Sequence, residues 1–216
     1  MGKVIVRITM SLDGFIAGPN DSPENSLGDG GAHLFKWFSG GDTAFQWPSG
    51  TMTSMLSAAS AASLRELMPA IGAMVTGRRA FDIARAWNGR HPLDVPVIVL
   101  THTVPHEWAG KDSAFTFVND GIESAIALAQ KTAGNKDVMV GAASLTQQCL
   151  KAGLLDEIHI DLVPVLLGGG VRLFDPLNAG FIQLEQTQAI VAPGVTHLTY
   201  RVIKEATMNK RSEGDR

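Results

Sequence analysis

Asp137-Val138-Met139-Val140-Gly141-Ala142-Ala143-Ser144-Leu145 runs from a short apolar strand, through small residues, straight into a helix from Ser144 to Lys151. A strand that feeds directly into a helix is the unit from which parallel sheets are built. The same unit recurs upstream. Val95 to Leu100 is a near-continuous apolar run, the pattern of a strand buried on both faces. Phe115 to Val118 is a short strand, and Gly121 to Thr132 is an alanine-rich amphipathic helix. Ile71 to Thr76 is another short strand, after which Gly77-Arg78-Arg79 opens a helix through about Ala86. At the N-terminal end Lys3 to Thr9 alternates and is rich in β-branched residues, so it also reads as a strand. Downstream, Glu157 to Leu167 is a strand that ends in Gly168-Gly169-Gly170. Phe181 to Val191 and Val195 to Ile203 form a hairpin around Ala192-Pro193-Gly194. The expected fold is α/β: a central, mainly parallel sheet of eight strands, flanked by helices, with a C-terminal antiparallel hairpin.

Between these units lie less regular stretches. Met10 to Gly31 is a long loop of turn formers, and loops of that length are usually functional or disordered. His33 to Phe38 is read as one or two helical turns, Gly40 to Gly50 as irregular, and Met52 to Met68 as a helix stopped by Pro69. With no repeat and no shift of composition, residues 1–203 are expected to form one domain, followed by a polar, frayed tail at 204–216.

Composition narrows the function classes. The 216 residues are 45% apolar and 18% charged, enough to bury a core without staples. The single cysteine, Cys149, cannot close an intramolecular disulfide or build a zinc site of several thiolates, and it reads as a buried core thiol. A net charge of −3 argues against a large nucleic-acid surface. No apolar run reaches the ~20 residues of a membrane span, and no long apolar h-region follows Met1. A cytoplasmic protein facing a small molecule is expected. The 23 glycines, about one residue in ten against a usual ~7%, mark where to look.

Parallel sheets bind ligands outside the carboxyl ends of their strands. Two turns there have the anatomy of a phosphate site: Gly141-Ala142-Ala143-Ser144 and Gly77-Arg78-Arg79, the latter with two guanidinium groups. Each could equally be a tight turn with solvated charges. Thr101 and His102, just past a neighbouring strand, complete a set suited to a dinucleotide with an extra 2′-phosphate, NADPH rather than NADH. The Gly-x-Gly-x-x-Gly and Walker fingerprints are absent, as are His-Glu-x-x-His and Gly-x-Ser-x-Gly, and no metal site is expected. Trp37, Trp47, Trp87 and Trp108 could each stack on a flat ring or serve as core. His159 and Asp161 share one strand face; a buried Asp161 could have a raised pKa and deliver a proton, or be a hydrogen-bonded structural acid.

Met-Ser-Leu-Asp-Gly-Phe-Ile-Ala-Gly (10–18) resembles the first active-site loop of the dihydrofolate reductase-like superfamily. Thr-Gly-Arg-Arg-Ala-Phe-Asp (76–82) resembles its strand–Gly-Arg–helix segment. Val-Met-Val-Gly-Ala-Ala-Ser-Leu (138–145) is similar to its glycine pair before a helix, with alanine in place of the second glycine. Residues 153–170 with Leu173-Phe174 resemble stand-alone relatives of the reductase domain of riboflavin-biosynthesis deaminase–reductases. The match runs in order from about residue 3 to 203.

That resemblance implies NADPH as hydride donor, a pterin-like, ribosylaminopyrimidine-like or other small heterocyclic or carbonyl acceptor, and a homodimer. Gly77, Arg78 and Arg79 would hold phosphate, with Thr101 and His102 near the adenosine 2′-phosphate. Gly141, Ala142, Ala143, Ser144 and Leu145 would wrap the pyrophosphate, and Gly14, Phe15, Ile16 and Ala17 would lie along the nicotinamide ribose. Asp13 would sit near hydride transfer, with Asp161 the candidate acid. The carboxylate that dihydrofolate reductases carry after the first loop gives way here to a longer, glycine-rich stretch at 19–56, from which Trp37 and Trp47 would cover the substrate. The expected activity is NADPH-dependent reduction; the other readings are a nucleotide-binding protein without turnover and a flavin- or NADH-using oxidoreductase.

Overall fold

The computed structural model describes residues 1–108, 115–175 and 180–204. β1 (Val4–Ser11) and the short β2 (Phe15–Ala17) are followed by β3 (Thr43–Gln46) and β4 (Thr53–Leu56). α1 (Ala58–Leu67) leads to β5 (Ile71–Gly77), α2 (Arg78–Ile83), β6 (Val97–Leu100) and β7 (Phe115–Val118). α3 (Ile122–Ala133), β8 (Asp137–Val140), α4 (Ala143–Lys151) and β9 (Glu157–Val163) continue the alternation. β10 (Val171–Arg172) and the hairpin of β11 (Leu184–Ala192) and β12 (Val195–Val202) complete it.

Eight strands form one sheet in the order β11-β12-β9-β1-β8-β5-β6-β7. The run from β9 to β7 is parallel, and β12 and β11 add antiparallel edges, as the sequence pattern predicts. β1 is central because both of its faces are apolar. Val4 and Val6 meet α3 and α4 through Ile126, Leu145 and Cys149, while Ile5 meets Leu34, Trp37 and Leu64 beneath α1 and the 3-10 segment Gly31–Ser39. Cys149 is buried, as expected of a core thiol, and burial pushes its pKa up to about 12. The carboxyl ends of β1, β5, β6 and β8 therefore open on one edge of the sheet.

Three local expectations change. The predicted helix 52–68 is a strand and then a helix: β4 pairs with β3 across the stretch read as irregular. Ser57 caps α1 by accepting a hydrogen bond from the Ser60 amide at 3.2 Å, which fixes the helix start after Thr53–Leu56 has paired. α2 ends at Ile83 rather than near Ala86, because Arg85, Ala86, Trp87 and Asn88 turn left-handed, with φ from 48° to 53°. β9 stops at Val163, where Pro164 has no N–H to continue the ladder. The long loop at 10–31 is also more ordered than its composition suggests. β2 pairs with β10, and residues 18–29 form a closed loop whose base is joined by Gly18 N–H to the Leu27 carbonyl and Asp29 N–H to the Pro19 carbonyl. Of the expected tail, only Lys204 lies within the described residues.

Candidate functional site

A cavity of about 1200 Å³ opens at the carboxyl ends of the parallel strands. From β8 and α4 come Gly141 to Leu145; from β5 and α2 come Thr76, Gly77, Arg78 and Arg79; from the end of β6 come Thr101, His102 and Thr103. Ile16 and Ala17 of β2 and Asp21 and Leu27 of the 18–29 loop complete its mouth. Most of the predicted cofactor set is thus gathered around one space.

The start of α4 carries its strongest anion-binding feature. Ala143, Ser144 and Leu145 open the helix with no side-chain cap, and among the described residues their amide N–H groups have no backbone partner; the first such bond runs from Thr146 to the Ala142 carbonyl. Gly141 lets the chain pass close to β5, since a Cβ there would lie 2.5 Å from the Met74 methyl. Ala142 has φ 84° and ψ 146°, a region that L side chains rarely adopt. The other turn differs from expectation. α2 is only six residues long, so Gly77-Arg78-Arg79 offers guanidinium groups rather than a helix end. Arg78 donates from Nε to both carboxylate oxygens of Asp82 at 2.8 Å and from Nη1 to the Thr103 carbonyl at 3.2 Å. Arg79 reaches the 18–29 loop and donates to the Asp21 carboxylate at 2.6 Å. Thr101 folds its own turn by donating to the Thr103 carbonyl, whereas His102 is exposed at the rim.

Gly14 and Phe15 do not line the cavity. Gly14 takes φ 89° in the turn after β1, and Phe15 is buried beneath the Arg172 guanidinium, 4.4 Å from its ring centre. Asp13 also faces away. Its carboxylate accepts from Ser11 at 2.6 Å and from the amides of Leu167 and Gly168, tying the glycine-rich 165–170 segment to β1. The Ser11 hydrogen bond is the main reason its pKa falls to about 2, so it is an ionised brace rather than an acid.

Of the two readings of Asp161, the geometry fits the hydrogen-bonded structural acid and not the acid with a raised pKa. Asp161 is 4% exposed and lies under α1, outside the cavity. Arg7 holds it with two hydrogen bonds, at 3.0 and 2.9 Å, and His197 Nδ1 lies 2.6 Å from it. Burial alone would raise its pKa, but the Arg7 charge and the bonds from His197 and Arg7 outweigh that, and the carboxyl sits below its ordinary value. His197 continues through Nε2 to Ser60 Oγ at 2.8 Å, joining α1 to the sheet. Asp161 is thus a structural acid, paired with Arg7.

Trp37 and Trp47 are core as well. Trp37 packs edge-on against His197 at 5.3 Å, and Trp47 donates to Ser54 while packing against Phe38 and Phe45. Among the described residues, the aromatic side chains lining the cavity are Phe35 and Trp87. In a 3-10 turn residues three apart eclipse, so Gly31, Leu34 and Trp37 face the core together and Phe35 is turned aside. Trp87 is carried by the left-handed turn after α2, for which its neighbours in sequence give no sign.

Comparison with known proteins follows this geometry. The model of the RibD C-terminal domain matches residues 2–196. The chain belongs to the RibD C-terminal domain family. A riboflavin biosynthesis-like protein from Shewanella sp. PV-4 superposes on this RibD C-terminal domain with a TM-score of 0.67 and 25% identity, covering 94% of this chain and 99% of that one. The fold is shared with dihydrofolate reductase from Enterococcus faecalis, solved with NADP(H) and RAB-propyl, at a TM-score of 0.54 and 13% identity over 93% of this chain and 97% of that one. It is shared too with a pyrimidine reductase-like protein from Corynebacterium diphtheriae, at a TM-score of 0.59 and 14% identity over 94% and 93%. In sequence, the uncharacterized protein YwjB of Bacillus subtilis (strain 168) is 23% identical over 177 residues, 82% of this chain and 84% of its own. This RibD C-terminal domain thus has the dihydrofolate reductase-like fold. Among the described residues no helix is long and apolar enough to cross a membrane, and no cluster of three or more His, Cys, Asp or Glu side chains is placed to hold a metal ion.

Proposed function

We propose that this protein is an NADPH-dependent reductase of a small heterocyclic or carbonyl acceptor. The observation that carries the reading is the unpaired start of α4 in a cavity large enough for a dinucleotide and a second small molecule. The donor set fits the cofactor. The amides of Ala143, Ser144 and Leu145 would hold the diphosphate, where the helix end favours negative charge. Arg78 would hold the 2′-phosphate with the guanidinium hydrogens that Asp82 and Thr103 leave over, and His102 stands beside it. Ile16 and Ala17 would lie along the nicotinamide ribose and keep water from it. When bound, NADPH supplies a hydride; the chain supplies orientation and a water-poor wall.

Absorbance of the reduced nicotinamide, followed with a panel of pterins, aminopyrimidines and carbonyl compounds, tests turnover. Arg78→Ala is expected to weaken NADPH by about 1–3 kcal/mol, the worth of a charge-assisted hydrogen bond, and to leave NADH nearly unchanged. Equal losses for the two cofactors would remove the 2′-phosphate assignment.

A second reading, nucleotide binding without turnover, draws on one observation. Among the described residues, Asp21 is the sole carboxylate lining the cavity and is engaged by Arg79, while Asp13 and Asp161 stand elsewhere as ionised braces. Micromolar NADPH affinity with no oxidation by any acceptor would favour it.

A further inference from the structure

Among the described residues, two buried threonines line the cavity, Thr76 and Thr101, and their hydroxyls differ in what they do. Thr101 donates to the Thr103 carbonyl at 2.9 Å and accepts from the Thr103 amide at 3.3 Å, so its own turn consumes it. Thr76, near the carboxyl end of β5, is 1% exposed, and its hydroxyl has no hydrogen-bond partner among the described residues. Among those residues Trp37 Nε1 is the one polar side-chain atom both sealed from solvent and without a partner. The Thr76 oxygen is unpartnered but not sealed, and the space it opens on is the cavity that Thr76 lines.

Packing gives no reason for a threonine here. Apart from Thr76, the buried positions of β5 and of its neighbours β6 and β8 are apolar. Valine has nearly the same shape and no polar atom to desolvate, so packing alone favours it. The pleat sets where the hydroxyl points. Val75 packs in the core shared with α3 and α4, and Met74 in the core beneath α1. Residues two apart on a strand share a face, so Thr76 lies on the side of Met74. Gly141, at the end of the adjacent strand, leaves that side open: a Cβ there would lie 3.9 Å from Thr76 Oγ1. Phe35 and Trp87 of the cavity lining pack against the same core as Met74, whereas Leu145 and Ile16, on the path proposed for the cofactor, pack with the other.

Resting on the reductase reading, we propose that Thr76 is a specificity-determining residue whose hydroxyl hydrogen-bonds a carbonyl oxygen or ring nitrogen on the edge of the acceptor. A hydroxyl both donates and accepts, so it serves an edge of either kind. A molecule of the same shape without such an atom fills the space and leaves the hydroxyl unmatched, and a site with a buried hydrogen-bonding group discriminates against it. Apolar contact with Phe35 and Trp87 is open to both molecules, so the choice between them falls to Thr76.

The test uses the full chain saturated with NADP⁺, which fills the cofactor site without turnover. Two probes of one shape are titrated by ligand-observed NMR: isoquinolin-1-one, which carries a lactam edge, and naphthalene, which has no polar atom. Thr76→Val should weaken isoquinolin-1-one by about threefold to tenfold, the net worth of one hydrogen bond, and leave naphthalene unchanged or tighter. Thr76→Ser keeps the hydroxyl and should hold the preference for the lactam near that of the wild type. NADPH affinity should be the same in all three proteins. Thermal unfolding without ligand separates this role from a structural one, because a hydroxyl kept for a ligand lets Thr76→Val hold or raise the melting temperature. Unchanged lactam affinity in Thr76→Val, no lactam affinity in the wild type, or a fall in NADPH affinity as large as the lactam's each overturns the inference and leaves the reductase reading standing. Absence of NADPH binding by the wild type removes that reading, and the inference with it.

Discussion

Replacing Ala142 by glycine should stabilise the protein, although it removes a methyl group and loosens the unfolded chain. Ala142 sits at φ 84° and ψ 146°, where a Cβ is crowded by its own backbone. A non-glycine residue held in such a region costs about 1–3 kcal/mol. Glycine removes that strain but gives back about 0.4–1 kcal/mol through its more flexible unfolded state. The half-buried methyl accounts for a few tenths more, from a full value of about 0.8 kcal/mol per buried carbon. The balance is a gain of about 1 kcal/mol, and a melting temperature higher by roughly 2–4 °C in a chain of this size. Urea unfolding measures it, with Ala143→Gly as the control. Ala143 is the first residue of α4 with ordinary helical geometry, so glycine there should cost a few tenths of a kcal/mol up to about 1. NADPH titration adds a second readout, because a residue without Cβ lets a phosphate approach the amides of 143–145 at least as closely. Loss of stability in Ala142→Gly at unchanged m-value, comparable to the control, would refute the strain argument.

Asp161→Asn keeps the shape of the buried network but leaves the Arg7 guanidinium without its counter-charge, and should cost about 3–5 kcal/mol in denaturant unfolding. A loss under 1 kcal/mol would show the pair to be dispensable. Because its pKa is lowered in the fold, the stability Asp161 contributes is present above the unfolded value near ~4 and is lost as pH falls below it; the acid limb of the wild-type stability curve should therefore flatten in the variant. His91 acts in a higher window. Its pKa falls from 6.5 to about 4 on burial, so between those values the unfolded chain takes up a proton that the folded one refuses. Stability should drop by up to about 3 kcal/mol as pH falls through that range. His91→Asn retains an acceptor for the Leu93 amide and should remove the slope, and an unchanged slope would place its origin elsewhere.

The parts of the fold legible in sequence are those set by local pattern. The run Val95–Leu100 has no polar position to turn toward water, so it had to lie inside a sheet, and the hairpin turn is marked by Gly194 with φ 74°. The small residues of 141–144 mark a close approach of strand and helix. What the sequence left out depends on distant partners. Thr53–Leu56 is a strand only because Thr43–Gln46 lies beside it, and four residues next to an alanine-rich run look helical without that partner. Asp161 shows the same limit. Its strand position correctly implied burial, but the sign of its pKa shift belongs to Arg7, 154 residues away in sequence. Trp37 departs from its expected place over the substrate for a geometric reason: three residues per turn instead of 3.6 moves it into the core and leaves Phe35 at the cavity.

The two departures from ordinary backbone geometry named above, Ala142 and the left-handed turn at Arg85–Asn88, both border the same cavity. Each left-handed residue costs about 1 kcal/mol or more, so such a turn persists only where its surroundings over-determine it. Those surroundings are visible. Arg85 is held by the Pro23 carbonyl, Ala86 is 5% exposed in the core, and Trp87 is wedged among Phe81, His91 and Phe115. Running α2 on as a right-handed helix would carry Trp87 away from those rings and from the cavity lining. At Ala142 the opposing constraint is β5, since Gly141 already lies against Met74 and the chain must turn sharply to begin α4 with its amides toward the cavity. At these two places the chain trades local comfort for the position of a functional surface. That trade supplies the open amide start of α4 and brings Trp87 to the cavity lining, and the rest of the sheet, whose apolar strands agree with their own propensities, bears its cost.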